Sequence, residues 1–156
     1  MHIVARLVLA GLFLASFGSI ASAEALTTQC GAVLRSTVKT TTNTFAFNSE
    51  LPRVTVPNAV FSVNVPTGAE RCIILTFSAS ARCPLACFVS VLDTSGVLEP
   101  FASNRFAQGN VFRTHTFQWA KRVGAGNHAI RLQINTGNEI ENAEIGPYTA
   151  TLTVRE

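Results

Sequence analysis

The chain has 156 residues, a formal net charge of +3, four cysteines and 13% charged residues. That length supports one domain with a sizeable core. The near-neutral balance and scattered basic residues, with Lys121-Arg122 the only adjacent pair, exclude a nucleic-acid surface.

Residues 1–23 read as a secretory leader and not as part of the fold. His2 and Arg6 make a weakly positive start, and Leu7 to Ile20 an apolar core. Ala21-Ser22-Ala23 is a small-x-small cleavage site before Glu24. The apolar run is short for a membrane span. Thr27-Thr28-Gln29 before Cys30 is not a lipoprotein box. The expectation is export to a periplasm or the extracellular space. No membrane span is expected in 24–156.

Residues 24–50 form a threonine-rich stretch with few apolar anchors. Threonine favours β structure, so 24–50 reads as an edge strand. The alternative is an arm that pairs with another chain. The β-sandwich domain proper is expected over 51–156. Leu51-Pro52 breaks the chain, and Val54 and Val56 suit a short strand. Phe61, Val63 and Val65 alternate with Ser62 and Asn64, a half-buried strand.

Arg71 to Leu92 holds three of the four cysteines and two apolar strand candidates. Ile73, Leu75, Phe77 and Ala79 share one face by a period of two. Cys87 to Leu92 is β-branched and aromatic. Pro84 between them lacks a ladder N–H and fixes φ, so the spacing predicts a hairpin with a loop near 81–86. A turn brings Cys83 and Cys87 to disulfide distance. Cys30–Cys72 would then tie the N-terminal stretch to the central strand, at roughly 3–4 kcal/mol in the entropy model. Four cysteines allow three connectivities, and a metal site is the rival. Cys-x3-Cys is looser than usual zinc spacings, and an exported chain meets an oxidising compartment.

Asp93-Thr94-Ser95-Gly96 suits a type I turn. Ser95 interrupts an aspartic-protease motif, and Asp93 is the only aspartate. Residues 97–110 look like a long loop pinned by Phe101 and Phe106. Val111 to Val123 reads as a strand with His115, Phe117, Trp119, Lys121 and Val123 on one face. Gly124-Ala125-Gly126-Asn127 signals a turn. His128, Ile130, Leu132 and Ile134 then alternate with Arg131 and Gln133. Residues 135–146 form an acidic connector anchored by Ile140 and Ile145. Tyr148 to Val154 closes the chain, with Ala150, Leu152 and Val154 inward.

A faint echo links Phe61-x3-Val65-x2-Gly68 with Trp119-x3-Val123-x2-Gly126. Two related hairpins on facing sheets would explain it. It is too short for a tandem repeat. No stretch holds a helical period. Seven to ten short strands imply an all-β, single-domain antiparallel β-sandwich, jelly-roll-like.

Chemistry is sparse. His115 and His128 fall on apolar strand faces, and no serine or carboxylate motif accompanies them. They read as strand-end histidines in ordinary hydrogen bonds. Nucleophile-elbow, zincin, phosphate-loop and dinucleotide motifs are absent. Glu70, Glu99, Glu139, Glu141 and Glu144 could meet as a glycosidase-type pair, though the last three suit a solvated surface. A calcium site lacks an Asp-rich loop. No cofactor or metal is expected.

The runs RCIILTFSASARC…CFVSVLD, FQWAKRVGAGNHAIRLQI and TATLTV resemble a loose set of secreted bacterial β-sandwich proteins of uncharacterised function. The resemblance covers roughly 60–156 and implies fold and export. It transfers no catalytic residue.

The reading is therefore a non-enzymatic exported binding module, presenting 97–110 and 135–146 to a glycan or protein. The second is a structural subunit that assembles through sheet edges, with homo-oligomers in view. A pilin-like version lacks the aromatic beside the C-terminus. The third is a small hydrolase. A sandwich hosts all three.

Overall fold

The computed structural model describes residues 29–47, 53–98, 104–136 and 143–156. The leader at 1–23, together with Glu99, Phe101, Glu139, Ile140 and Glu141, lies outside them.

The protein is all-β. Its strands are β1 (Val33–Thr41), β2 (Phe45–Phe47), β3 (Val54–Val65), β4 (Arg71–Asp93), β5 (Gly96–Val97), β6 (Asn104–Val123), β7 (Gly126–Thr136) and β8 (Ala143–Arg155). All eight belong to one antiparallel sheet in the order β1-β8-β4-β7-β3. Strand β2 adds to β8, while β5 and β6 add to β4.

Strand β4 organises the sheet. Its first half, Arg71 to Ala81, lies between β8 and the second half of β6. Its second half, Cys87 to Leu92, pairs with β7 and with the start of β6. The sheet therefore folds over at 81–87 into two layers that close almost to a barrel. Period-two apolar residues from both layers fill the space between. Phe77 on one layer meets Phe106 on the other at 5.7 Å between ring centroids, and Tyr148 at 5.5 Å. Phe117 continues the aromatic row to Trp119 at 5.8 Å. Phe77, Phe106 and Trp119 are fully buried. Each such side chain contributes about 1.5–3 kcal/mol by leaving water.

The hairpin expected at 81–86 is not formed. Strand β4 runs unbroken through Pro84 for 23 residues. Cys83 pairs with Gly109 and Cys87 with Ala107, so three intervening residues of β4 face one of β6. Pro84 sits in this bulge, exposed, where no ladder bond needs its missing N–H. Gly109 opposite has φ +98°, a conformation L side chains resist. Bulge and glycine together bend the strand from one layer to the other. The Cys83–Cys87 disulfide spans this corner with Cα atoms 5.9 Å apart.

The second disulfide joins Cys30 to Cys72, with Cα atoms also 5.9 Å apart. Strand β1 follows Cys30 and pairs with β8 from Val33 to Thr41. Where it is described, the threonine-rich stretch is thus a strand at the edge of this sheet.

In their described parts, two stretches expected as loops are largely strand. Asn104 to Asn110 belongs to β6, where Phe106 and Ala107 are buried against β4. Ala143 to Gly146 belongs to β8, with Ala143 and Ile145 buried. Polar residues at alternating positions hid both strands. Val54 and Val56 likewise join Phe61 in one strand, through a bulge where Asn58 has φ 61°.

The echoed segments are not hairpins. Strand β3 pairs with β7, while β4 pairs with β8 and β6. Residues 66–70 and 124–125 each carry the chain from one layer to the other. Val65 pairs with Gly126, and Arg71 with Val123, so the two crossovers lie side by side. The shared pattern is that of two stacked arches.

Candidate functional site

Two places gather functional side chains. The first is Asp93, at the end of β4. Its carboxylate is fully buried. Thr94-Ser95 forms the two-residue turn to β5, and both hydroxyls bend back on Asp93. Thr94 Oγ1 donates at 3.0 Å, and Ser95 Oγ donates to the other carboxylate oxygen. Lys121, near the end of β6, brings Nζ to 3.3 Å from Asp93 and 2.8 Å from Ser95. His128, near the start of β7, places Nδ1 3.2 Å from Asp93 Oδ1. Its Nε2 lies 2.9 Å from the Gly124 carbonyl.

Burial alone pushes the Asp93 carboxyl up. Hydrogen bonds from Ser95, Thr94, His128 and Lys121 outweigh it and hold the group at about 2. The carboxylate stays ionised and its acceptor sites are taken.

No serine or carboxylate motif marks the histidines in the sequence, yet the fold brings a carboxylate and a serine to one of them. Asp93, His128 and Ser95 do meet. Their order, however, is not that of a nucleophilic triad. Ser95 Oγ gives its proton to Asp93 and not to His128. The outer histidine nitrogen faces a backbone carbonyl. The cluster clamps the ends of β4, β6 and β7. One signal for it was the only aspartate, set before two hydroxyl residues at a turn.

Among the described residues the other candidates do not converge. His115 is mid-strand, stacked on Phe117 at 6.2 Å and edge-on to Phe106 at 6.2 Å. The strand-end reading fails for it, because β6 extends further back than expected. Glu144 pairs with Arg82 at 2.6 Å, and Arg82 also covers the Phe112 ring. Glu70 is exposed beside Arg71. Among the described residues no group of three or more His, Cys, Asp or Glu is placed to hold a metal ion. No helix among them is long and apolar enough to cross a membrane, which says nothing of strands.

The second place is a groove that no motif announced. Strands β1 and β3 end the sheet order, one in each layer. Among the described residues each pairs on one side only, and their free edges face each other across a cavity of about 440 Å³. Phe61, Val63, Leu152 and Val154 give it an apolar floor. Leu34 and Val60 stand on the rims, 47% and 37% exposed. Arg35, Lys39 and Arg71 line it as well. Lys39 spans the gap. Its Nζ donates to the Val60 carbonyl at 2.6 Å and lies 5.1 Å from the Phe61 ring centre.

Both rims also carry irregularities in the ladders to their inner neighbours. The β1 register shifts between Val33 and Arg35, and the β3 register between Thr55 and Val60. Bulges and cations are also how a protein protects an edge from association. Exposed apolar side chains work the other way. Val33, Leu34, Val38 and Val60 are four of the seven large hydrophobic side chains exposed among the described residues. A rim built only to repel would not carry them.

No family model and no curated protein sequence matches the chain. Distant likenesses exist among solved structures. Dimeric latent PorU from Porphyromonas gingivalis aligns with a TM-score of 0.46 and 12% identity, over 82% of this chain and 13% of that one. The infectious bursal disease virus Gx strain aligns with a TM-score of 0.40 and 13% identity, over 80% of this chain and 33% of that one. The Gt strain gives 0.35 and 13%, over 81% and 39%. The chain thus spans well under half of each of these. At such scores they carry no argument about function.

Proposed function

We propose that this chain is an exported, non-enzymatic binding module that takes an extended protein segment into the β1–β3 groove. One observation carries the reading. Two strand edges, unpaired among the described residues apart from the Lys39 bond to the Val60 carbonyl, face each other over an apolar floor. Such an edge is a template for an added strand, with main-chain bonds giving affinity and alternate side-chain pockets giving specificity. Strand β1 has nine residues and is about 30 Å long, enough for a segment of about eight residues.

Export is supported by the leader-like 1–23 and by two disulfides, which are typical of oxidising compartments. The absence of an enzymatic role is supported by the saturation of Asp93 and the outward block on His128. The ligand is expected at strand edges and not on 97–110 and 135–146, whose described parts are mostly paired strand.

The same edges favour a second reading, in which the added strand comes from another copy of this chain. One experiment separates the two. The oxidised protein is challenged with a displayed library of ten-residue peptides, and amide exchange is followed on bound and free protein. Light scattering is measured at matching concentration. A monomer whose β1 and β3 amides become protected by selected peptides is the expected result. A dimer protecting those amides without peptide would assign the groove to self-assembly. Selected peptides that protect neither strand would overturn the proposal.

A further inference from the structure

We infer that the groove selects an acidic strand, with the pattern acidic-x-apolar-x-acidic on its inward face. The inference rests on the strand-acceptor reading and names the ligand class that it takes.

Arg35, Thr37 and Lys39 pair with Val154, Leu152 and Ala150 of β8, whose side chains point into the protein. Directly paired residues share a face, so these three point to the groove side of β1. A strand added to the free edge of β1 continues that alternation. Its side chains opposite Arg35 and Lys39 meet two cations, four residues apart. The one between them, opposite Thr37, meets the apolar floor at Leu152 and Phe61. Directly opposed charges of unlike sign stabilise a strand pair, and like charges oppose it.

Two of the three lining cations rest on neutral partners. Lys39 Nζ holds the Val60 carbonyl and covers the Phe61 ring. Arg71, which lines the groove from the start of β4, gives Nη1 to the Glu70 carbonyl at 2.8 Å. A carboxylate is a stronger acceptor than a carbonyl for either. Among the described residues no carboxylate lines the groove; Glu70 and Glu156 stand outside it. The charge of the lining is therefore of one sign, next to an apolar floor where it is less screened than in open water. A basic segment is repelled, and a neutral one leaves the cations without a gain.

The test uses three fluorescein-labelled ten-residue peptides and the oxidised full-length mature chain. The first carries Glu-x-Val-x-Glu, the second Gln-x-Val-x-Gln, and the third is the Glu peptide N-methylated at alternate backbone nitrogens. Fluorescence anisotropy is read at low and at physiological salt. The expected result is binding of the Glu peptide at least tenfold tighter than the Gln peptide, weakened by salt. Arg35→Gln, at an exposed position, removes most of that preference, and N-methylation abolishes binding. Equal binding of Glu and Gln peptides overturns the charge selection and leaves the strand acceptor standing. Binding that survives N-methylation overturns the strand geometry, because the groove then acts only as an anion patch. Failure of all three peptides, with fold intact by circular dichroism, overturns both readings.

Discussion

His128 Nδ1 lies 3.2 Å from Asp93 Oδ1, although 35 residues of chain separate them. The contact exists because β4 and β7 are neighbours in one layer, while the crossover at 124–125 brings the chain back beside Lys121. A buried carboxylate with four donors is costly to disturb, since removing it strands the groups arranged around it.

Asp93→Asn is therefore expected to destabilise the protein by about 2–4 kcal/mol at neutral pH. The pH dependence has a fixed sign. The carboxyl is held at about 2 against an ordinary 3.8. Its lowered value contributes about 2 kcal/mol that is fully present above pH 4 and lost as pH falls through 2. The asparagine variant does not titrate there. Urea unfolding at pH 7, 4, 3 and 2 should show the gap between the two proteins narrowing on acidification. A gap that stays constant would mean that Asp93 acts by shape alone.

The two disulfides should differ in worth. Cys30–Cys72 closes 42 residues and Cys83–Cys87 closes four. The loop-entropy model gives about 4 kcal/mol for the first and about 2 for the second. Replacing each pair by serines and measuring urea midpoints under oxidising conditions checks the order. The Cys30–Cys72 variant should also speed amide exchange in β1, whose start loses its tie to β4. Equal losses in the two variants would mean that the corner, and not the loop, sets the cost.

The strands with one wet and one buried face were legible in the sequence. Tyr148 to Val154 alternates cleanly, and its inward set is the observed one. The run through Pro84 was not legible. A proline between two apolar strands signals a turn, and only the pairing of β6 with both halves shows that it sits in a bulge. The Asp93–His128 contact was hidden for a different reason. It depends on which strands become neighbours, and spacing along the chain does not encode that. The groove was hidden most deeply, because an unpaired edge looks in sequence like any other strand.

Gly109 and Gly124 make a matched test of the corner. At neither glycine does any atom lie within 4 Å of where a β-carbon would sit, so space is not the issue. Gly109 has φ +98° and Gly124 does not have a positive φ. Gly109→Ala should cost about 1–2 kcal/mol through backbone strain. Gly124→Ala should be neutral or stabilising by up to about 1 kcal/mol, because it restricts the unfolded chain. Thermal unfolding of both variants decides. If Gly109→Ala were as stable as Gly124→Ala, the bend of the sheet would not depend on that glycine.

Lys39 is the last element whose role is exposed to a simple measurement. Its ammonium is the bond between the two free rims, donating to Val60 across the groove. The bond is exposed, so water replaces it at small cost. Lys39→Met keeps the stem over Phe61 and removes only the charge and its hydrogen bond. The stability loss should be at most about 1 kcal/mol. The rims, no longer tied, should exchange their amides faster at β1 and β3, while β4 and β7 keep their protection. Hydrogen exchange by mass spectrometry resolves these segments. Faster exchange confined to the rims would identify Lys39 as a latch that a ligand must release. Uniform loss of protection across the sheet would instead make it a structural closure, and the groove a part of the folded barrel.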